Sequence, residues 1–142
     1  MAEQRFLGID SGDVRIGLAV SIPGTTIATA LEVIKAKNAF TRLKEVCNTE
    51  NITAIVVGMP YNMDGTKGVR FEKTVKWINR LKKILRLPVH TQDERLTTWE
   101  SDGILREGRV SRKKRRDVLD MLSAQRILQA FLDGRAEKAN DK

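Results

Sequence analysis

Residues 5–10 and 16–21 are two short apolar runs whose connection, built on Ser11-Gly12-Asp13, is too short for a parallel crossover. The pair therefore reads as an antiparallel hairpin. A third strand is expected around residues 26–33, past the Pro23-Gly24 break. The pattern then changes period. Phe40, Leu43, Val46 and Cys47 recur at helical spacing, and residues 52–58 form a β-branched run that ends at Gly58 before Pro60. A second helix is expected with Phe71, Val75, Ile78, Leu81 and Leu85 on its inward face, followed by a short strand over residues 89–92. Thr97-Thr98-Trp99-Glu100 has the form of a capping box that opens a third helix near residue 98 and ending near Gly108. A last helix is expected from Arg112 to Asp133, with Met121, Ala124, Leu128 and Phe131 inward and Gly134 ending it. The order predicts an α/β fold: a mixed five-stranded sheet with helices on both faces. One domain over residues 1–134 and a frayed polar tail over 135–142 complete the organisation.

Composition removes several function classes. The chain has 142 residues, one cysteine and one histidine, so a disulfide framework, a Cys-rich zinc module and a zinc hydrolase are all disfavoured. Cys47 falls on the first helix's apolar stripe and reads as a core thiol, and His90 as a strand residue without chemistry. No run approaches the roughly 18 apolar residues of a membrane span, and the first residues carry no signal-peptide pattern. The expected home is the cytoplasm.

Three acidic points remain as candidate chemistry. Asp10 ends an apolar strand, where a carboxylate is costly unless a cation or hydrogen bonds compensate it. Asp93-Glu94 sits at the end of the last strand, where open α/β sheets place their ligands. Neighbouring residues there face opposite ways, so one of the two is expected in the site. Asp120 lies in the apolar stretch Val118-Leu119-Asp120-Met121-Leu122, while Asp117, on the same helix face, answers better to the upstream basic run. Each acid taken alone also fits a turn, a loop or an exposed helix. Together they suit Mg²⁺ or Mn²⁺, as one ion or a pair, since such ions are held by few carboxylates and keep positions for water and phosphate oxygens.

The formal charge of +8 is concentrated. Residues 67–86 carry eight basic side chains and one acid, and residues 103–116 carry seven and one, which leaves the remainder mildly acidic. Basic helices are often only solvated faces, but two concentrated segments favour a polyanion, with nucleic acid first. Lys73, Lys76 and Arg80 in the first segment and Arg109, Arg112 and Lys113 in the second are the expected backbone contacts, with no membrane partner.

Four blocks in order then resemble one family. They are Gly8-Ile9-Asp10-Ser11-Gly12 with Arg15-Ile16-Gly17-Leu18-Ala19-Val20-Ser21; Val57-Gly58-Met59-Pro60 with Asp64-Gly65; Asp93-Glu94-Arg95-Leu96-Thr97-Thr98; and Leu119-Asp120-Met121-Leu122-Ser123-Ala124. They resemble the YqgF/RuvX proteins, small bacterial members of the RNase H-like superfamily, over residues 6–133. The resemblance implies an RNase H-like fold and a two-metal nuclease. Asp10, Glu94 and Asp120 would be its catalytic, metal-binding carboxylates, with Arg15, Arg95 and Thr98 near phosphates or supporting the acids. It further implies 5′-end processing of pre-16S rRNA in ribosome biogenesis, on structured RNA and pre-ribosomal particles, by a monomer or a homodimer. Two other readings are a Holliday junction-resolving DNA endonuclease and a non-catalytic RNA-binding assembly or transcription factor. The sequence departs from the family at Ile22-Pro23, Tyr61 and Ser123, none of which touches the three carboxylates.

Overall fold

A computed structural model describes residues 3–95 and 112–140, with the side chains of the last segment over 114–136. Strands β1 (Phe6–Ser11), β2 (Arg15–Ser21) and β3 (Ala28–Lys35) precede helix α1 (Ala39–Thr49). Strand β4 (Ala54–Met59), helix α2 (Val69–Leu85), strand β5 (Val89–Asp93) and helix α3 (Arg112–Asn140) follow. The sheet order is β3-β2-β1-β4-β5. β1–β2 and β2–β3 pair antiparallel, β1–β4 and β4–β5 parallel, which is the mixed sheet expected from the hairpin and the later alternation. The capping box at 97–100, the helix expected over 98–108, Thr98 and Arg109 lie outside the described residues.

Strand alternation divides the core in two. Leu7, Ile9, Ile16, Leu18, Ile55 and Val57 point to the face covered by α1 and α2, where they pack with Leu43, Ile78 and Leu81. Each such side chain contributes roughly 1.5–3 kcal/mol by leaving water. Phe6, Ala19, Ala54 and Val56 point to the opposite face, under Ala124, Ile127, Leu128 and Leu132 of α3. Apart from Phe6 and Val56, the strand residues cited on this second face are small, and three further ones are glycines. A Cβ on Gly8 would stand 2.7 Å from that of Leu128, one on Gly17 would overlap the Asp120 carbonyl, and one on Gly58 would overlap the Ile127 side chain. Glycine at these places lets α3 lie directly on the sheet. Gln129 fixes the helix to the edge strand: its amide accepts from Ala28 N (3.0 Å) and donates to Thr26 O (2.6 Å).

Three expectations are corrected. Gly134 does not end the last helix, which continues to Asn140, so residues 135–140 are helical rather than a frayed tail. An interior glycine costs about 1 kcal/mol against alanine. Packing beyond it opposes that cost, because the Arg135 guanidinium lies 5.0 Å over the Phe6 ring and 5.7 Å over Phe131. In α2, Val75 is exposed and Thr74 takes the buried position. Thr74 can do so because its hydroxyl donates to the Arg70 carbonyl one turn back (2.9 Å). The third strand runs two residues later than expected, over Ala28–Lys35. Cys47 packs against the core as expected, and burial pushes its thiol up to about 11.

Candidate active site

The site is assembled at the C-terminal ends of the parallel strands, on the α3 face. Asp10 shares strand parity with Phe6 and Gly8, so its carboxylate points toward α3. It lines a cavity of about 280 Å³ with Ser11, Gly12, Arg15, Arg70 and Asp120. Asp120 is brought there by the contact between α3 and Gly17, since any side chain at Gly17 would hold the Asp120 backbone off the sheet. Glu94, just past β5, completes the group from the other side: its Oε2 stands 2.7 Å from where a Cβ on Gly58 would be.

The choice between Asp93 and Glu94 follows from parity and pairing. Asp93 is occupied by Arg95, accepting from its backbone N–H (3.0 Å) and ion-pairing with its guanidinium (2.6 Å). The Arg95 contacts hold the Asp93 carboxyl below the usual range although partial burial pulls the other way. Arg95 also lies 5.6 Å over Tyr61, at the rim, and lines no part of the cavity that holds Asp10 and Asp120. Glu94 instead shares a hydrogen bond with Asp10.

Electrostatics set these acids apart from every other carboxylate described. Burial, then the charge and hydrogen bond of Glu94, then the charge of Asp120, push Asp10 from 3.8 up to about 8. Burial also raises Glu94, against the hydrogen bond from Asp10 and the charge of Arg70. At neutral pH the two therefore hold a proton between them. Asp120 is half-exposed and bound by Arg15, whose Nε donates to Oδ2 at 2.6 Å. Asp117 adds a further negative charge near Arg15.

Among the described residues no three acidic, histidine or cysteine side chains are close enough, as placed, to grip one ion. The donor set nevertheless fits a hard divalent cation. It is all oxygen, and Asp10, pushed up to about 8 by burial first and then by Glu94 and Asp120, is a carboxyl whose ionised form a cation would favour. Asp10, Glu94 and Asp120 could hold such an ion once the shared proton leaves and Asp120 turns from Arg15.

Lys73 sits beside the cleft in a neighbouring groove, and Lys76 and Arg80 lie exposed along α2, Arg80 5.0 Å over the Phe40 ring. Arg112 and Lys113 open α3, upstream of Asp120 on the same helix. Sequence reading missed Arg70, which lines the cleft and whose charge favours the ionised forms of both Asp10 and Glu94. A signal was present. Arg70 lies in the first turn of α2, where the helix dipole disfavours a cation, so another interaction has to account for it.

The sheet order, the initial antiparallel pair and the helices on both faces define an RNase H-like fold. Two solved structures share it. The chain superposes on Thermus thermophilus RuvC with a TM-score of 0.56 at 17% identity, covering 94% of this chain and 97% of the other. A fowlpox virus resolvase, solved with Holliday junction DNA, gives 0.61 at 10% identity over 93% and 99%. The RuvX family model, described as Holliday junction resolvase, matches residues 4–134. A protein of Thermoanaerobacter pseudethanolicus named "Putative pre-16S rRNA nuclease" is 41% identical over 138 residues, 94% of this chain and 99% of its own. One of Ruminiclostridium cellulolyticum with the same name is 41% identical over 133 residues, 91% and 94% of the two chains. The chain belongs to the RuvX family.

Proposed function

We propose that this protein is a metal-dependent nuclease that hydrolyses phosphodiester bonds in the 5′-end processing of pre-16S rRNA, in the cytoplasm. The observation that carries the reading is that Asp10 from β1 and Asp120 from α3 line one cleft while Glu94, past the end of β5, hydrogen-bonds Asp10, which is raised to about 8. The name carried by relatives at 41% identity supports the RNA substrate. Asp10, Glu94 and Asp120 are the catalytic and metal-binding residues, and one or two Mg²⁺ or Mn²⁺ ions would supply an acidified water and charge relief for the leaving oxygen.

The chain's own residues prepare that chemistry. Asp10 and Glu94 give up their shared proton when the cleft is filled by positive charge. Arg15 releases Asp120 and becomes free to face a phosphate oxygen, which a guanidinium can hold with two N–H donors. Arg70 favours the ionised forms of Asp10 and Glu94 by its charge. Lys73, Lys76 and Arg80, with Arg112 and Lys113 from α3, attract the sugar–phosphate backbone, and binding weakens steeply with salt.

A branched-DNA reading is kept by the family's description as a Holliday junction resolvase. One experiment separates the two. End-labelled pre-16S leader RNA and a four-way DNA junction are incubated with the protein in Mn²⁺ or chelator, with Asp10→Asn as the control. The proposal predicts Mn²⁺-dependent cutting of the RNA, reduced by roughly 10³-fold or more in the variant. Cutting confined to the junction selects the DNA reading. Binding without cutting of either substrate refutes the nuclease.

A further inference from the structure

A second groove of about 320 Å³ adjoins the acidic cleft. The two share Ser11, Gly12, Asp13 and Arg70, and the groove adds Lys73, Thr74 and Trp77 from successive turns of α2. We infer that this groove binds one unpaired nucleotide of the substrate strand, Trp77 stacking on its base and Lys73 with Arg70 holding its phosphate. The inference rests on the nuclease reading and narrows its substrate to a strand that is unpaired next to the cleavage point.

Three features carry it. First, the groove is continuous with the cleft through Ser11–Asp13 and Arg70, so a strand with one phosphate at the acids runs into it. Second, it joins a cation to an aromatic surface. Lys73 is exposed, and Trp77, four residues on, lies on the same helix face. A charged groove with an aromatic platform is the pairing that single-stranded nucleic acid uses, because every base offers a π-face. Third, the platform is fixed. Trp77 is backed by Phe40 in a near-parallel stack (5.7 Å, 22°), so it does not need ordering when a base arrives. A base inside a duplex has neighbours on both faces and cannot use such a platform. Asp13 also lines the groove and opposes phosphate, which leaves Lys73 and Arg70 as the groups that set the strand's path.

The test uses Trp77 as its own reporter. The chain has two tryptophans, so Trp99→Phe leaves Trp77 alone, and Asp10→Asn in the same protein prevents cleavage. Trp77 emission is titrated with a fluorescently labelled, 5′-phosphorylated six-nucleotide oligouridylate, with a blunt RNA duplex and with inorganic phosphate, while anisotropy of the labelled strand reports binding independently. The single strand should quench Trp77 saturably; the duplex and phosphate should not. Adding Trp77→Leu should weaken single-strand binding about tenfold, with Trp77→Phe recovering most of it, as expected for base–aromatic stacking. Lys73→Gln, at an exposed position, should weaken strand and duplex alike. The inference is overturned if the strand binds with unchanged Trp77 emission, if it fails to bind, or if Trp77→Leu binds it as tightly as the parent. A protein that cuts neither substrate above but shows this quenching loses the nuclease reading and keeps the groove.

Discussion

The two faces of the sheet are built from opposite materials. Toward α1 and α2, β1 and β4 present Leu7, Ile9, Ile55 and Val57, large side chains that fill a conventional core. Toward α3, the same two strands present Phe6, Gly8, Asp10, Ala54, Val56 and Gly58, of which only Phe6 and Val56 are sizeable apolar side chains. The first face stabilises; the second gives up apolar area so that a helix can come close enough to place Asp120 beside Asp10. The approach of α3 to the sheet is set by glycines that carry no chemistry themselves.

Substitutions on the two faces should therefore separate stability from activity. Leu7→Ala should cost the most stability, about 2–5 kcal/mol, because Leu7 is fully buried and leaves a cavity. The molecules that remain folded should cut at the parental rate. Gly17→Ala should cost less, about 1–3 kcal/mol, as α3 is pushed from the sheet. Its cleavage per folded molecule should nevertheless fall at least roughly tenfold, since the displaced atom belongs to the Asp120 backbone. Urea melts paired with single-turnover cleavage would check both. Equal rates in the two variants would show that close approach of α3 does not set the site.

Per pH unit, the shallowest effect is the pH dependence. Burial and Glu94 raise Asp10 from 3.8 to about 8, so between those values the folded chain keeps a proton that the unfolded chain has lost. Stability from this group is complete below pH 4 and is lost as pH rises through 8. In chelator, unfolding free energy should fall by roughly 1 kcal/mol per pH unit over this window, and Asp10→Asn should flatten that slope.

Much of the fold and of the acidic site is legible in the sequence. The antiparallel start of the mixed sheet followed from one connection too short to cross over; Asp10 and Asp120 stood out against apolar neighbours, and Asp93-Glu94 by its place at the end of a strand. What was hidden depended on partners far apart in the chain. Whether Asp93 or Glu94 enters the cleft turned on Arg95 taking Asp93, and the pairing of Asp120 with Arg15 spans 105 residues. Gly134 looked like a stop because glycine commonly ends helices, and the contacts of Arg135 with Phe6, Phe131 and Gln4, far away in the chain, oppose that stop. Thr74 in place of Val75 shows the same limit on a smaller scale, because a hydroxyl that bonds its own helix can be buried where periodicity alone prefers valine.

The proposed nuclease requires that the acids on the α3 face bind a divalent cation. The most direct test of this requirement is thermal unfolding from pH 5 to pH 9 in chelator and in saturating Mn²⁺, for the parent, Asp10→Asn and Asp120→Asn. The account predicts that Mn²⁺ raises the melting temperature of the parent at pH 8 and moves the Asp10-dependent step well below 8, with both effects lost in the two variants. A melting temperature indifferent to Mn²⁺ across the range, with the step still near 8, would contradict it.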